Sequence, residues 1–556
     1  MFKWYKSGSP WIWLTAGAVS VSLVSVLGVL LFIGWKGLSF FWPAPVYEWQ
    51  VTTTSHSEQR IIGEVYNREA IPISQLLAAG VELPQSAQGE DGSDSIDRLL
   101  IKVGNREREG LDFINLLESS IISTQLPSDV LVIERSRNGN FYGVPVAYHN
   151  GESTTTTPEK IATQLASGMV AADVIRSELQ DIQSNQISSI NWQLEQLRLE
   201  RRKLTMNGEL SEAVEARLIL NTEELQNQYQ HLEQRLHVLR EQNSLQSLQV
   251  KEMGGDIVTI PVATIIDAWA PNQMSWTQKV EHWFKQVKKF VSDNPREANS
   301  EGGVFPAIFG TVFMVLLMSI IVTPLGVIAA IYLHEYAKKN ALTRMIRIAV
   351  INLAGVPSIV YGVFGLGFFV YMVGGSVDEL LFSSALPSAT FGTPGILWSS
   401  ITLAILTLPV VIVSTEEGLS RIPNSVRHGS LALGATQAET IMKIVLPMAS
   451  PAIMTGLILA VARAAGEVAP LMLVGVVKLA PALPVDGNFP YVHLDRKFMH
   501  LGFHIYDVGF QSPNIEAARP LVYATSFLLV SVIIGLNLTA IGIRNYLREK
   551  YRSLEQ

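Results

Sequence analysis

The sequence predicts an all-α membrane protein of six transmembrane helices with an inserted, water-facing α+β domain. Three observations lead there. Of its 556 residues, 48% are hydrophobic and only 16% charged, too apolar on average for a soluble chain. The apolar residues gather in six runs of roughly 20 residues, the length that crosses a bilayer as a helix. Between the first run and the other five, residues 44–300 are polar. The formal net charge of −7 averages over unlike segments, and no basic block points to nucleic acid. With no cysteine the chain forms no disulfide and offers no thiolate ligand, which leaves its compartment open.

Within residues 1–43, the run "WIWLTAGAVSVSLVSVLGVLLFIGW" follows Lys3 and Lys6 in the manner of a signal peptide. It is longer than a cleaved apolar core and lacks a small-x-small site before Pro43, so it reads as a retained signal anchor. The β-like runs "RLLIKVGN", "DVLVIERSRNGNFYGVPVAYHN" and "GDIVTIPVATIIDAW" follow, with Asn138-Gly139 marking a hairpin, and together they predict a small β-rich unit.

Between those strands, Ile187, Ile190, Leu194, Leu197 and Leu204 recur at helical spacing. "MNGELS" interrupts, and Leu218, Leu225, Tyr229, Leu232, Leu236 and Leu239 resume the pattern. This predicts an antiparallel coiled-coil hairpin over about 158–251, folded back at Asn207-Gly208, serving as a spacer or as a protein-docking arm. Over about 274–292, Trp276, Val280, Trp283, Phe284, Val287 and Phe290 share one helical face, with Lys279, Lys285, Lys288 and Lys289 mostly elsewhere. Such a helix either lies along a membrane surface or packs on the β-rich unit.

Residues 301–545 hold the other spans, at about 305–333, 348–373, 396–415, 451–477 and 521–543. Cations cluster on one side: Lys338, Lys339, Arg344 and Arg347; Arg421, Arg427 and Lys443; and Arg544, Arg548, Lys550 and Arg552 near the 546–556 tail. The positive-inside rule then puts both termini in the cytoplasm and the 44–300 insertion in the periplasm.

The most specific motif is "HGSLALGATQAETIMKIVLP", His428 to Pro447, in the cytoplasmic loop 416–450. It resembles the loop of ABC-importer permeases, Glu-Ala-Ala, three residues, Gly, nine residues, Ile-x-Leu-Pro. Gly434, Ile444, Leu446 and Pro447 keep that spacing; His428, Gly429 and Ser430 depart from the first triplet. A short amphipathic helix followed by a glycine turn at Gly434, Ala435 and Thr436 suits insertion into a groove on a partner.

Taken with "LAGVPSIVYGVFGLG", "TEEGLSRIPNSVRHGSLALGAT" and "ARAAGEVAPLMLVG", the chain from about Asn299 to Asn545 resembles the PstA permeases of bacterial phosphate ABC importers. The resemblance implies a type I importer permease fold and a homologous permease partner, PstC. It also implies two copies of the ATPase PstB on the cytoplasmic face and a periplasmic phosphate-binding protein outside. The 44–300 insertion is a departure from it. The chain carries no G-x-x-x-x-G-K-[ST] loop, so ATP and Mg belong to the partner ATPase and no cofactor is expected on this chain. No metal-ligand spacing, nucleophile arrangement or catalytic constellation emerges, and the chain reads as a transporter subunit, not an enzyme.

"ARAAGEVAPL" places Arg463 and Glu467 one turn apart in a span. A charge there costs at least about 2.5 kcal/mol, so it needs a partner or a wet path. The two residues form either a structural ion pair or, as the resemblance implies, part of the phosphate pathway. In the second case Arg463 offers its planar fork to an oxyanion and Glu467 keeps the binding weak enough for release. Pro470 is expected to kink the helix. Glu416, Glu417 and Arg421 lie at the cytoplasmic mouth, as a gate or as a solvated helix end. A permease for sulfate or molybdate and a phosphate-sensing membrane protein are the alternatives.

Overall fold

The computed structural model describes residues 9–52, 58–78, 95–151, 153–338, 340–512 and 515–551. Lys3, Lys6, Lys339 and Arg552, four cations of the side assigned to the cytoplasm, lie outside these residues. The chain divides into two compact units, Met1–Phe40 with Phe290–Gln556, and Phe41–Lys289.

Among the described residues, the first unit contains six helices long and apolar enough to cross a membrane: Trp11–Ser39, Phe305–Tyr336, Ser358–Leu381, Ile396–Ser420, Gln437–Gly466 and Ala518–Lys550. Its core lies where the second, fourth and fifth meet, around Met314, Met318, Leu403, Leu406, Ala460 and Ala464. Ile396–Ser420 is the central helix, buried over most of its length. The helix Trp11–Ser39 lies along the last one, with Gly34 against Phe527, Gly37 against the backbone of Ala524, and Phe32 edge-on to Tyr523.

Two span boundaries differ from the sequence reading. The third span begins at Ser358, not near 348, and Ala341–Leu353 is a separate amphipathic helix. Pro357 explains the division, since the residue before a proline is pushed out of the helical region. The fifth span starts at Gln437 and stops at Gly466 instead of running on to 477.

A short helix, Leu501–Phe510, precedes the last span and is too short to cross a bilayer. Its Asp507 is 1% exposed and takes Lys478 Nζ at 3.1 Å and Asn299 Nδ2 at 3.2 Å. Burial pushes the neighbouring imidazoles down, His500 to about 3 and His504 to about 4. Both rings stay neutral in the folded chain while the unfolded chain takes up protons below its ordinary 6.5. This stability is therefore whole above pH 6.5 and falls as the pH drops towards 4, by up to about 1.4 kcal/mol per unit and ring. The thermal unfolding midpoint in detergent is expected to be lower at pH 5 than at pH 7.5, and a His504→Asn variant should lose part of that difference.

Among the described residues, the second unit holds two antiparallel sheets. The five-stranded sheet runs in the order Phe113–Leu117, Ser95–Lys102, Glu58–Pro72, Val46–Thr52 and Ile121–Gln125. The six-stranded sheet runs Ile257–Pro261, Gln246–Lys251, Asn140–Asn150, Leu131–Arg135 and Ile265–Trp269, with Ser153–Thr155 beside Asn140–Asn150. Asn138 and Gly139, at φ 66° and 68°, make the expected turn, which pairs Glu134 with Asn140. Ile161, Leu165 and Ala172 of a long helix pack on the second sheet over Ile133, Phe141, Leu248 and Val250.

That helix starts a hairpin. Pro158–Asp181, a π-helical stretch Ile182–Ile187 and Ser188–Asn207 form one arm, and Glu212–Ser244 returns as the other. The arms meet through Ile182, Leu236 and Leu239 and through ion pairs, Arg235 with Glu178 at 2.8 Å and Arg217 with Glu200 at 3.1 Å. The returning arm ends at Ser244 and not near 251. In Gln246–Lys251, Leu248 and Val250 alternate inward, which suits a strand under the helix and not a helix face.

Candidate functional site

Two places in the membrane unit carry the residues singled out by sequence. The first is the end of the fifth membrane helix. Helical geometry stops at Gly466; Glu467 is extended at φ −78°, ψ 134°, and a four-residue helix, Leu471–Val474, follows Pro470. Pro470 accounts for the break, because its ring clashes with the carbonyl four residues back, that of Gly466, and it has no N–H to donate to it. Arg463 thus occupies the last turn of its helix, not the middle of a continuous span.

The break does not separate the two charges, since Arg463 Nε lies 3.5 Å from Glu467 Oε1. That distance is loose for a hydrogen bond, and Glu467 is the one ion-pair partner of Arg463 among the described residues. The adjoining Ala460, Ala464 and Ala465 are fully buried in the core, whereas the Arg463 side chain is one-third exposed. The guanidinium is therefore only partly covered by its own unit, with donors to spare.

Tyr361 of the third span lies within electrostatic reach of Arg463 and donates its hydroxyl to Leu353 O at 2.6 Å. Beside it, Gly362 lets the third span close on the broken segment: a Cβ there would sit 2.7 Å from Pro470 Cα.

The second place is the loop around Gly434. The helix Asn424–Ala432 ends in a turn whose Gly434 has φ +88°. Thr436 then caps the next helix, its hydroxyl accepting from Glu439 N–H while its own N–H donates to Glu439 Oε2 at 3.0 Å. His428 and Gly429 are exposed, Ala435 is half-buried, and Ser430 is buried, sharing a 2.8 Å hydrogen bond with Thr440. Ile444 lies in the π-helical stretch Ile441–Val445, and Leu446 and Pro447 open the regular helix after it. Leu433, at the tip, is 91% exposed.

Glu416, Glu417 and Arg421 are not brought together. Glu416 pairs with Arg347 at 3.1 Å, while Glu417 and Arg421 are exposed. The tighter contact at this face was not visible in the sequence. Arg427 gives one N–H to Glu335 Oε1 at 2.8 Å and others to the carbonyls of Leu419 and Ile422 at 2.8 Å and 2.6 Å. His334 Nδ1 meets the same Glu335 oxygen at 3.0 Å. One arginine therefore joins the loop helix to the ends of the second and fourth membrane helices.

The family description "Binding-protein-dependent transport system inner membrane component" matches residues 322–553. The phosphate transport system permease protein PstA of Yersinia pestis is 36% identical over 251 residues, 45% of this chain and 75% of that protein. PstA of Mycobacterium leprae is 33% identical over 245 residues, 44% of this chain and 71% of that protein. The chain belongs to the PstA family of permeases.

Against the probable ABC transporter permease protein YqgH of Bacillus subtilis it is 33% identical over 35% of its own length and 59% of the relative's. Among solved structures, an inward-facing MetNI methionine ABC transporter is 17% identical over 44% of this chain and 94% of its own, with a TM-score of 0.31. With six spans and this membership, the chain is a multi-pass membrane protein. In this PstA-family chain the matched stretch takes in Glu335, Arg427, Gly434, Arg463 and Glu467 together.

The Glu335–Arg427 pair gives a further expected outcome. Both side chains are nearly buried, and removing one partner of such a pair typically costs about 3 kcal/mol. Arg427→Ala should lower the thermal unfolding midpoint measurably, and Glu335→Ala added to it should recover part of the loss.

Proposed function

We propose that this chain is the membrane-spanning permease of an ATP-driven phosphate importer and forms half of its translocation path. The observation that carries the reading is Arg463, held at a helix break inside a PstA-family permease, with a one-third-exposed guanidinium and one loose carboxylate partner. A planar cation of this kind binds phosphate oxygens in pairs. Glu467 competes for it, so an arriving anion is held and then let go, as conduction requires.

The other half of the path is a homologous permease of the PstC kind, which the open side of Arg463 faces. A periplasmic phosphate-binding protein delivers the anion. Two PstB-type ATPase subunits, carrying ATP and Mg, sit on the cytoplasmic face, and one of them docks on the loop around Gly434, where Leu431 and Leu433 project as an apolar tip. Arg427, through Glu335 and the Leu419 and Ile422 carbonyls, passes the motion of that loop to two membrane helices. The unit Phe41–Lys289 is periplasmic, and its helix hairpin is an antiparallel coiled coil.

Uptake of labelled phosphate by cells lacking the gene, and again after its restoration, tests the reading. Saturable uptake that returns with the gene and is not competed by sulfate supports it. Uptake competed by sulfate or molybdate would make this an importer of another oxyanion, and uptake unchanged by the gene would overturn the phosphate assignment.

A further inference from the structure

We propose that the helix Trp276–Ser292 is a membrane-surface anchor whose outer face rests on a leaflet of anionic lipid. Its sequence is compatible with packing on the sheet as much as with lying on a bilayer, and in the structure one face is fastened to the sheet. The side turned to the sheet is polar. His282 tilts over the Trp269 ring at 4.5 Å, Lys285 Nζ reaches Asp267 at 2.8 Å, and Lys289 Nζ reaches Glu134 at 2.7 Å. Ion pairs and a ring contact fasten that face; on the apolar one Phe290 is buried and Trp283 half-buried, while Trp276 and Phe284 stand uncovered.

Trp276 is 72% exposed, Phe284 62% and Val291 39%. At 100° per residue these three, with half-buried Val280 and Val287, lie on one arc, and Lys279 and Lys288 fall at its two edges. Apolar side chains in the centre with lysines able to reach sideways to phosphate is the arrangement of a helix lying in the headgroup layer. Tryptophan at the start of the arc suits the same depth.

Twelve residues separate the end of this helix from the membrane helix that begins at Phe305. Val304 N–H donates to Phe290 O at 2.8 Å and Phe305 N–H to Asp293 O at 3.2 Å. Phe290, in the last turn of this helix, is therefore hydrogen-bonded to Val304, the residue just before that membrane helix. Lysines at the rim favour an anionic leaflet over a zwitterionic one.

The inference needs a membrane but not phosphate, so its test is independent of transport. Because the chain has no cysteine, Phe284→Cys in the full-length protein takes a single nitroxide, and Gln278→Cys, exposed and off the arc, serves as the aqueous reference. Both are placed in nanodiscs of mixed phosphatidylcholine and phosphatidylglycerol, and relaxation by oxygen is compared with relaxation by a water-soluble nickel chelate. The label at 284 should favour oxygen and the label at 278 nickel. In discs of phosphatidylcholine alone, or with Lys279→Glu and Lys288→Glu together, the oxygen preference at 284 should weaken. A 284 label that favours nickel, or one shielded from both because protein covers it, overturns the anchor. An oxygen preference unchanged by lipid charge and by both lysine replacements overturns the anionic selectivity.

Discussion

Replacing Arg463 with alanine is expected to cut phosphate uptake by about 10- to 100-fold, the worth of one charge-assisted hydrogen-bond set of roughly 1.5–3 kcal/mol. The same change should leave assembly intact. Arg463 lies about 39 Å along the helix from Gln437, far from the loop that carries Gly434, so the ATPase subunit should co-purify with the variant as with the parent. Arg463→Lys keeps the charge and loses the fork, and should fall between the two. Glu467→Gln should act in the other direction on binding, with half-saturation at lower phosphate and slower turnover, because release is no longer assisted. If Arg463→Ala fails to co-purify with the ATPase, the pair with Glu467 is a structural lock.

The second large effect is expected at Gly434. Its φ of +88° costs an ordinary residue about 1–2 kcal/mol, and a β-branched one more. A Cβ would meet nothing within 4 Å, so the penalty is conformational and not a clash. Gly434→Val should therefore leave the fold standing, shift the turn, and lower phosphate moved per ATP hydrolysed by roughly tenfold in proteoliposomes, while hydrolysis continues. Gly434→Asn, which tolerates this backbone region, should retain most of the coupling. Equal losses of hydrolysis and transport would point to a folding defect instead.

The apolar runs announce six spans because a bilayer demands continuous hydrophobicity, and Asn138-Gly139 announces a hairpin because few other pairs fit its backbone. Boundaries are less legible. "ARAAG" looks helical to its end, and only the carbonyl clash from Pro470 places the break at Gly466. In Gln246–Lys251, no breaker separates the strand from the helix before it, so the helical pattern reads through into a sheet. Strand Glu58–Pro72 is too polar to stand out, being half exposed along its length.

The pair of Arg463 and Glu467 is local and visible, whereas Glu335 and Arg427 are 92 residues apart. Only folding shows that one arginine serves a carboxylate and two helix-end carbonyls. Likewise the sequence reveals that Trp276–Ser292 is two-faced, but not which face the sheet takes.

The contact of the first membrane helix with the last has a consequence for biosynthesis. Gly37 rests on Ala524, a residue made roughly 490 positions later. At ordinary rates of synthesis, about 5–20 residues per second, the first helix waits roughly 25–100 s in lipid before its neighbour exists. Throughout that interval its small-residue groove is open to any other helix in the bilayer. The large unit Phe41–Lys289 is synthesised well before the groove is filled, so a single early helix stays unpartnered while that whole domain is made.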